Sequence, residues 1–134
     1  MSKRWCWLAG LALMLGACGP KEPVRIGFIG ELTGNSADLG EAGRNGAMLA
    51  IETINLAGGI NGQRVELLAR DTGSTPESAT RSADELLDAK VVAVIGPMTS
   101  GMTKAILPAH EAAKVVLISP TATAISLSGQ NDYL

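Results

Sequence analysis

Apolar and polar residues fall in blocks along this chain, and the block lengths predict its architecture. Four short apolar runs, at 24–29, 64–70, 91–95 and 115–118, are separated by longer segments whose apolar residues recur three and four positions apart. The run at 24–29 is apolar on both faces except at Arg25, as expected of a parallel strand covered by helices. In 41–56, Ala47, Ala50, Ile51 and Ile54 share one helical face. A second helix begins at Thr75-Pro76-Glu77, with a hydroxyl cap, a proline at its first position and an early negative charge, and it buries Ala79, Ala83, Leu86 and Leu87. A third, at 101–113, buries Ala105, Ile106, Ala109 and Ala113. Gly58-Gly59 caps the first helix, and Asn61-Gly62 is a tight-turn signal. The run at 64–70 alternates Val65, Leu67 and Ala69 with Glu66 and Arg70, which predicts a half-covered edge strand. The run at 91–95 is the most apolar and is expected inside the sheet. The order βαβαβαβ predicts an α/β fold, a doubly wound parallel sheet with right-handed crossovers.

In such sheets ligands sit at the carboxyl ends of the strands. With the strand order 2-1-3-4, the tips of strands one, three and four are neighbours. Three loops then surround one crevice: the glycine-rich 30–40, Gly96-Pro97-Met98-Thr99-Ser100, and Ser119-Pro120-Thr121-Ala122-Thr123. Ser100 lies at a helix start, where backbone N–H groups and the helix dipole favour an anion. Taken singly, Ser100 reads first as a plain N-cap and 121–123 as just a turn. Their convergence on one edge makes them candidate binding residues.

Before this body, Lys3 and Arg4 precede an uncharged apolar run at 5–17. It is shorter than the ~20 residues a spanning helix needs, and matches a secretory signal peptide over 1–17. The run ends Leu15-Gly16-Ala17-Cys18, which resembles the lipobox of bacterial lipoproteins. Cys18 is accordingly the expected lipid attachment site, 18–23 the tether and 24–134 the folded body. Several acyl chains on one residue anchor stably where one does not. Cys6 falls in the leader, so the body has no cysteine and needs no disulfide.

The chemistry of the body points away from catalysis. Without Lys3 and Arg4 it carries nine basic against thirteen acidic residues, a net charge of −4, with no basic face for nucleic acid. Outside the leader the aromatics are Phe28 and Tyr133, so base stacking is not available. The dinucleotide fingerprint, the phosphate-binding lysine loop and the nucleophile elbow are all missing from the sequence. His110, the one histidine, sits in mid-helix without a second ligand nearby and reads as a solvated or helix-packing residue rather than a metal site. The acids Asp71, Asp84, Glu85 and Asp88 show no acid/base pair spacing. No enzyme activity, metal or cofactor is expected.

Several stretches together carry a resemblance. Residues 26–34 (IGFIGELTG), 47–55 followed by Ala57-Gly58-Gly59-Ile60-Asn61-Gly62, Asp71, Val94-Ile95-Gly96-Pro97 with Ser100, and Ile118-Ser119-Pro120 with Ala122-Thr123 run in family order. The body thereby resembles the amino-terminal lobe of a type I periplasmic solute-binding protein of the branched-chain amino acid (leucine/isoleucine/valine) class. The resemblance implies a lipid-anchored receptor on the periplasmic or extracellular face of a bacterial cell envelope. It would bind an amino acid, or a related amide or urea-like solute, and deliver it to the permease subunits of an ABC importer by closure of two lobes. It also implies roles: Ser100 binding the ligand α-carboxylate, Thr123 contributing its hydroxyl and N–H, the carbonyl of Thr121 accepting from the α-ammonium, Ala122 lying between them, and Leu39 bordering the ligand from the first loop. A second lobe and its hinge crossings are expected outside the 134 residues. A sensory domain of the same fold without a transport partner is the alternative.

Overall fold

The computed structural model describes residues 21–73 and 75–134; the expected signal peptide and Cys18 lie outside them. Strand β1 (Val24–Gly30) leads to helix α1 (Ala37–Leu56), then come β2 (Val65–Asp71), α2 (Pro76–Asp88), β3 (Ala93–Ile95), α3 (Ser100–Ala113) and β4 (Val116–Ile118), followed by one 3-10 turn (Ile125–Leu127). The four strands form one parallel sheet, as the block pattern predicts, and their order is the expected β2-β1-β3-β4. The most apolar run is indeed interior, and the alternating run is indeed an edge.

The sheet's two faces are covered unequally. On one, Ile29, Val94 and Leu117 form a core with Ala79, Ala83 and Leu86 of α2 and Ile106 of α3. On the other, Phe28 packs with Ala47 of α1 and Met98, flanked by Leu67, Ala69 and Ile95. In register, Ile118 pairs with Ile95 and Val116 with Ala93, so both β4 side chains share the face that α1 occupies. They are 53% and 46% exposed, because α1 packs chiefly on β1 and β2.

That asymmetry explains where the expected helix faces were off. Of Ala47, Ala50, Ile51 and Ile54, Ala47 alone is buried, while Ala50 and Ile54 are exposed. The contact of α1 with the sheet runs instead through small residues, Gly40, Gly43 and Ala47. A Cβ at Gly40 would overlap the carbonyl of Glu31, and one at Gly43 would lie 2.7 Å from the Met98 methyl. On α3 the buried stripe is Thr103, Ile106 and His110, with Ala113 exposed. Two polar side chains lie in this stripe because each finds a partner. Thr103 Oγ1 donates to the Thr99 carbonyl at 2.8 Å, and His110 Nδ1 lies 3.1 Å from the Val115 carbonyl. His110 is the packing histidine of the two readings. Its Nε2 is buried without a partner among the described residues, and burial pushes its pKa below the usual histidine value, opposed in part by the Val115 carbonyl.

The helix ends follow the capping signals. Thr75 Oγ1 accepts the Ser78 N–H at 3.2 Å with Pro76 at the first helical position. Gly58 and Gly59 have positive φ, and the Gly59 N–H closes on the Ile54 carbonyl at 2.9 Å. The N-terminus of α1 differs from expectation. The helix starts at Ala37, without a side-chain cap on Ser36, so the first loop is 31–36 and Leu39 stands in the first turn of the helix.

Gly96 is the tightest backbone position. Its φ is +101°, and a Cβ there would collide with the carbonyl of Ile29 on the neighbouring strand. Gly96→Ala is expected to destabilise the fold by about 2–4 kcal/mol, measured as a lower urea midpoint with unchanged slope. A loss below about 0.5 kcal/mol would show that the loop relaxes without strain.

Candidate functional site

Four loops meet at the carboxyl ends of the strands, and side chains lace each to its neighbour. Asp71, the last residue of β2, reaches back to the first loop. Its Oδ1 accepts from the Leu32 N–H and the Gly73 N–H, both at 2.9 Å, and its Oδ2 from the Thr33 hydroxyl at 2.7 Å. Burial works against the charge, but the bonds from Thr33, Gly73 and Leu32 outweigh it and hold the carboxyl below its usual pKa. Glu31 ties the first loop to the third. Buried to 4% exposure, it accepts the Met98 N–H at 3.2 Å on Oε2 and the Thr99 hydroxyl on Oε1. The fourth loop joins the third through Ser119, which donates to the Pro97 carbonyl at 2.6 Å, and through Thr121, whose hydroxyl donates to the Met98 carbonyl.

Ser100 completes the lacing. The cap position of α3 belongs to Thr99, and Ser100 is the first helical residue. Its Oγ accepts the backbone N–H of Thr123 at 3.1 Å and of Ala124 at 3.2 Å. A serine hydroxyl has two lone pairs and one proton. Both lone pairs are engaged, so the O–H is what remains for a ligand, and Ser100 can act only as a donor there. The N–H of Thr123 is correspondingly occupied, while its hydroxyl makes no hydrogen bond among the described residues. The carbonyl of Thr121 is likewise without a partner among them. Helix α3 brings no acid of its own in its first turn, whereas α1 has Asp38 and α2 has Glu77. The positive end of its dipole is met instead by Glu31, on the side of Met98 and Thr99.

The structure thus brings Ser100 and 121–123 together, as the order of strands implied. It places Leu39 apart from the loop in which it was expected, on α1 beside Gly40, at 40% exposure. Sequence reasoning missed Glu31 as a site residue. The one signal for it was an acid at the tip of an apolar strand, flanked by glycine and leucine. Among the described residues no group of three or more histidine, cysteine or acidic side chains is placed to hold a metal, and no helix is long and apolar enough to cross a membrane. A cleft of about 270 Å³ opens between the first two loops and the start of α3. A larger one, about 440 Å³, lies between α1 and β2, around Met48, Ile51, Asn55 and Leu67, away from the four loops.

In parallel sheets the carboxyl edge, with donors at a helix start, is where small molecules are commonly bound. Residues 23–133 match the model of the family described as periplasmic binding protein, and the chain belongs to that family. It is 33% identical over 109 residues to the leucine-, isoleucine-, valine-, threonine- and alanine-binding protein of Pseudomonas aeruginosa, covering 81% of this chain and 29% of that one. Among solved structures it is similar to the branched-chain amino acid transporter substrate binding protein LivJ of Streptococcus pneumoniae, in complex with isoleucine. The TM-score there is 0.80 at 42% identity, over 84% of this chain and 32% of that one. An ABC transporter substrate-binding protein of Desulfitobacterium hafniense, in complex with leucine, gives a TM-score of 0.72 at 26% identity, over 84% and 32%. The chain therefore spans about a third of the length of these relatives. They are binding proteins, not enzymes.

Asp71 makes the lacing of the site pH-dependent. Its folded pKa is depressed, so its contribution is fully present above the unfolded aspartate value of about 3.9 and is lost as pH falls through the lower folded value. Asp71→Asn is expected to cost about 1–2 kcal/mol at neutral pH and to make the acid limb of stability against pH shallower. An acid limb identical to that of the parent chain would remove Asp71 from this role.

Proposed function

We propose that this chain is the first lobe of a solute-binding protein that captures an amino acid between two lobes and delivers it to an ABC importer. The Ser100 hydroxyl carries the reading: its lone pairs are held by Thr123 and Ala124, and its proton is left for an anion at the start of α3. An α-carboxylate fits there, with the Thr123 hydroxyl as a second donor and the Thr121 carbonyl accepting from the α-ammonium. Ala122 lies between the two, and Leu39, in the first turn of α1, is the residue proposed to border the ligand from that side. The relatives named above, with amino acids in their names or in their complexes, support the solute class. Their family supports a periplasmic or extracellular location. Cys18, lipidated after removal of 1–17, is the proposed anchor to the membrane.

Binding by hinge closure needs both walls of the cleft, since tight ligands are largely buried. This lobe offers one wall. Calorimetry of L-leucine on the 134-residue chain is expected to give millimolar affinity or weaker; submillimolar affinity would overturn the two-lobe mechanism. In a two-lobed form of the protein, Ser100→Ala is expected to weaken amino-acid binding by about 1.5–3 kcal/mol, the worth of a hydrogen bond to a charged group. Unchanged affinity would take Ser100 out of the site.

A further inference from the structure

The cleft beside the Ser100 clamp differs in chemistry from an aliphatic cage. It is lined by Glu31, Thr33, Asn35, Ser36, Thr99 and Met102, of which Met102 alone has an apolar side chain. It shares a wall with the clamp, because Thr99 precedes Ser100 in the chain and Met102 lies on the same first turn of α3. Glu31 is 4% exposed and its charge is met by no lysine or arginine; both ion pairs among the described residues lie elsewhere, at Arg25–Glu66 and Arg70–Glu85. Each of its oxygens accepts one hydrogen bond, from Met98 and from Thr99. A carboxylate has about four acceptor positions, so two are left over.

We propose that this cleft receives the side group of the solute, and that Glu31 makes it select a side group that donates hydrogen bonds and carries no negative charge. The inference rests on the reading of the chain as half of an amino-acid clamp. An aliphatic side group entering the cleft would strip water from Glu31, Asn35 and Ser36 and return no hydrogen bond, which is how polar sites reject apolar analogues. An anionic side group would add a second charge of the same sign beside a buried carboxylate. A carboxamide or ureido group meets the acceptors of Glu31 with N–H donors and offers its carbonyl to the hydroxyl and amide groups across the cleft.

L-glutamine and L-glutamate are matched in reach, L-leucine is one atom shorter, and the three differ in these properties. In heteronuclear NMR titrations of the 134-residue chain, glutamine is expected to bind at least about tenfold more tightly than either of the others. Its largest shifts should fall at 31–36 and 98–102. Glu31→Gln is expected to bring glutamate to within about threefold of glutamine by removing the charge. Asn35→Leu, at an exposed rim position, tests the same preference without touching Glu31: it should move the ratio toward leucine at an unchanged melting temperature. Leucine binding as tightly as glutamine in the parent chain would overturn the inference and leave the amino-acid reading standing. Glutamate binding as tightly as glutamine there would overturn it in the same way. Shifts with none of the three, up to the solubility of each, would overturn the inference that this cleft by itself selects the side group, and would leave the two-lobe reading standing.

Discussion

The carboxyl edge of this sheet depends on two acidic side chains that act as acceptors for backbone N–H groups. Strands β3 and β4 are three residues long and leave the loops after them with little ladder to hold them. Glu31 and Asp71 supply what the ladder does not. One reaches from the first loop to the third, the other from β2 back to the first, and each binds donors that would otherwise be stripped of water and unpaired. The hydroxyls of Ser119 and Thr121 extend the same scheme to the fourth loop, with roles reversed, donating to carbonyls of the third. The first, third and fourth loops are each fixed by a neighbour, and the second is held by Asp71 at the end of its own strand.

This arrangement gives the site its direction. Ser100 is held by two N–H groups, so its proton points to whatever sits at the start of α3. Loop geometry, rather than residue type, turns a serine into a dedicated donor. The sheet beneath is equally one-sided. Helices α2 and α3 cover one face together, while α1 covers only the β1–β2 half of the other, and Val116 and Ile118 remain exposed beside it. The site is therefore built on the better-packed side, where Ile106 and Thr103 of α3 anchor the helix whose first turn carries Ser100.

Much of this was legible in the sequence, for physical reasons that differ by element. The order of strands and helices followed from apolar periodicity, and the cap at Thr75 from a hydroxyl, a proline and an acid in succession. Ser100 and 121–123 could be placed together because parallel sheets gather strand-end loops on one edge. The start of α1 was not legible: Ser36 makes no side-chain cap, and Gly40 within the first turn reads as loop until its packing on Glu31 is known. The buried face of α1 was misjudged because periodicity assumes a full sheet beneath, and here half of it is bare. Glu31 escaped notice because a charged residue reads as exposed unless its partners, here 67 and 68 residues away in sequence, are known.

A buried carboxylate next to a helix start proposed to bind an anion needs a reason to be tolerated. The two charges do not compete for the same groups. Glu31 takes the N–H of Met98 and the hydroxyl of Thr99, which lie before the helix, while the Ser100 proton and the free N–H groups of the first turn remain beyond them. Glu31 thus takes donors on one flank of the helix start and leaves the other flank open. A solute carrying an anion at one end and donors at the other suits both flanks at once. A simple inorganic anion suits only one and meets the negative field of Glu31. The same residue that holds the loops together thereby imposes a polarity on the helix start, and in the proposed reading fixing the fold and discriminating among solutes draw on one side chain.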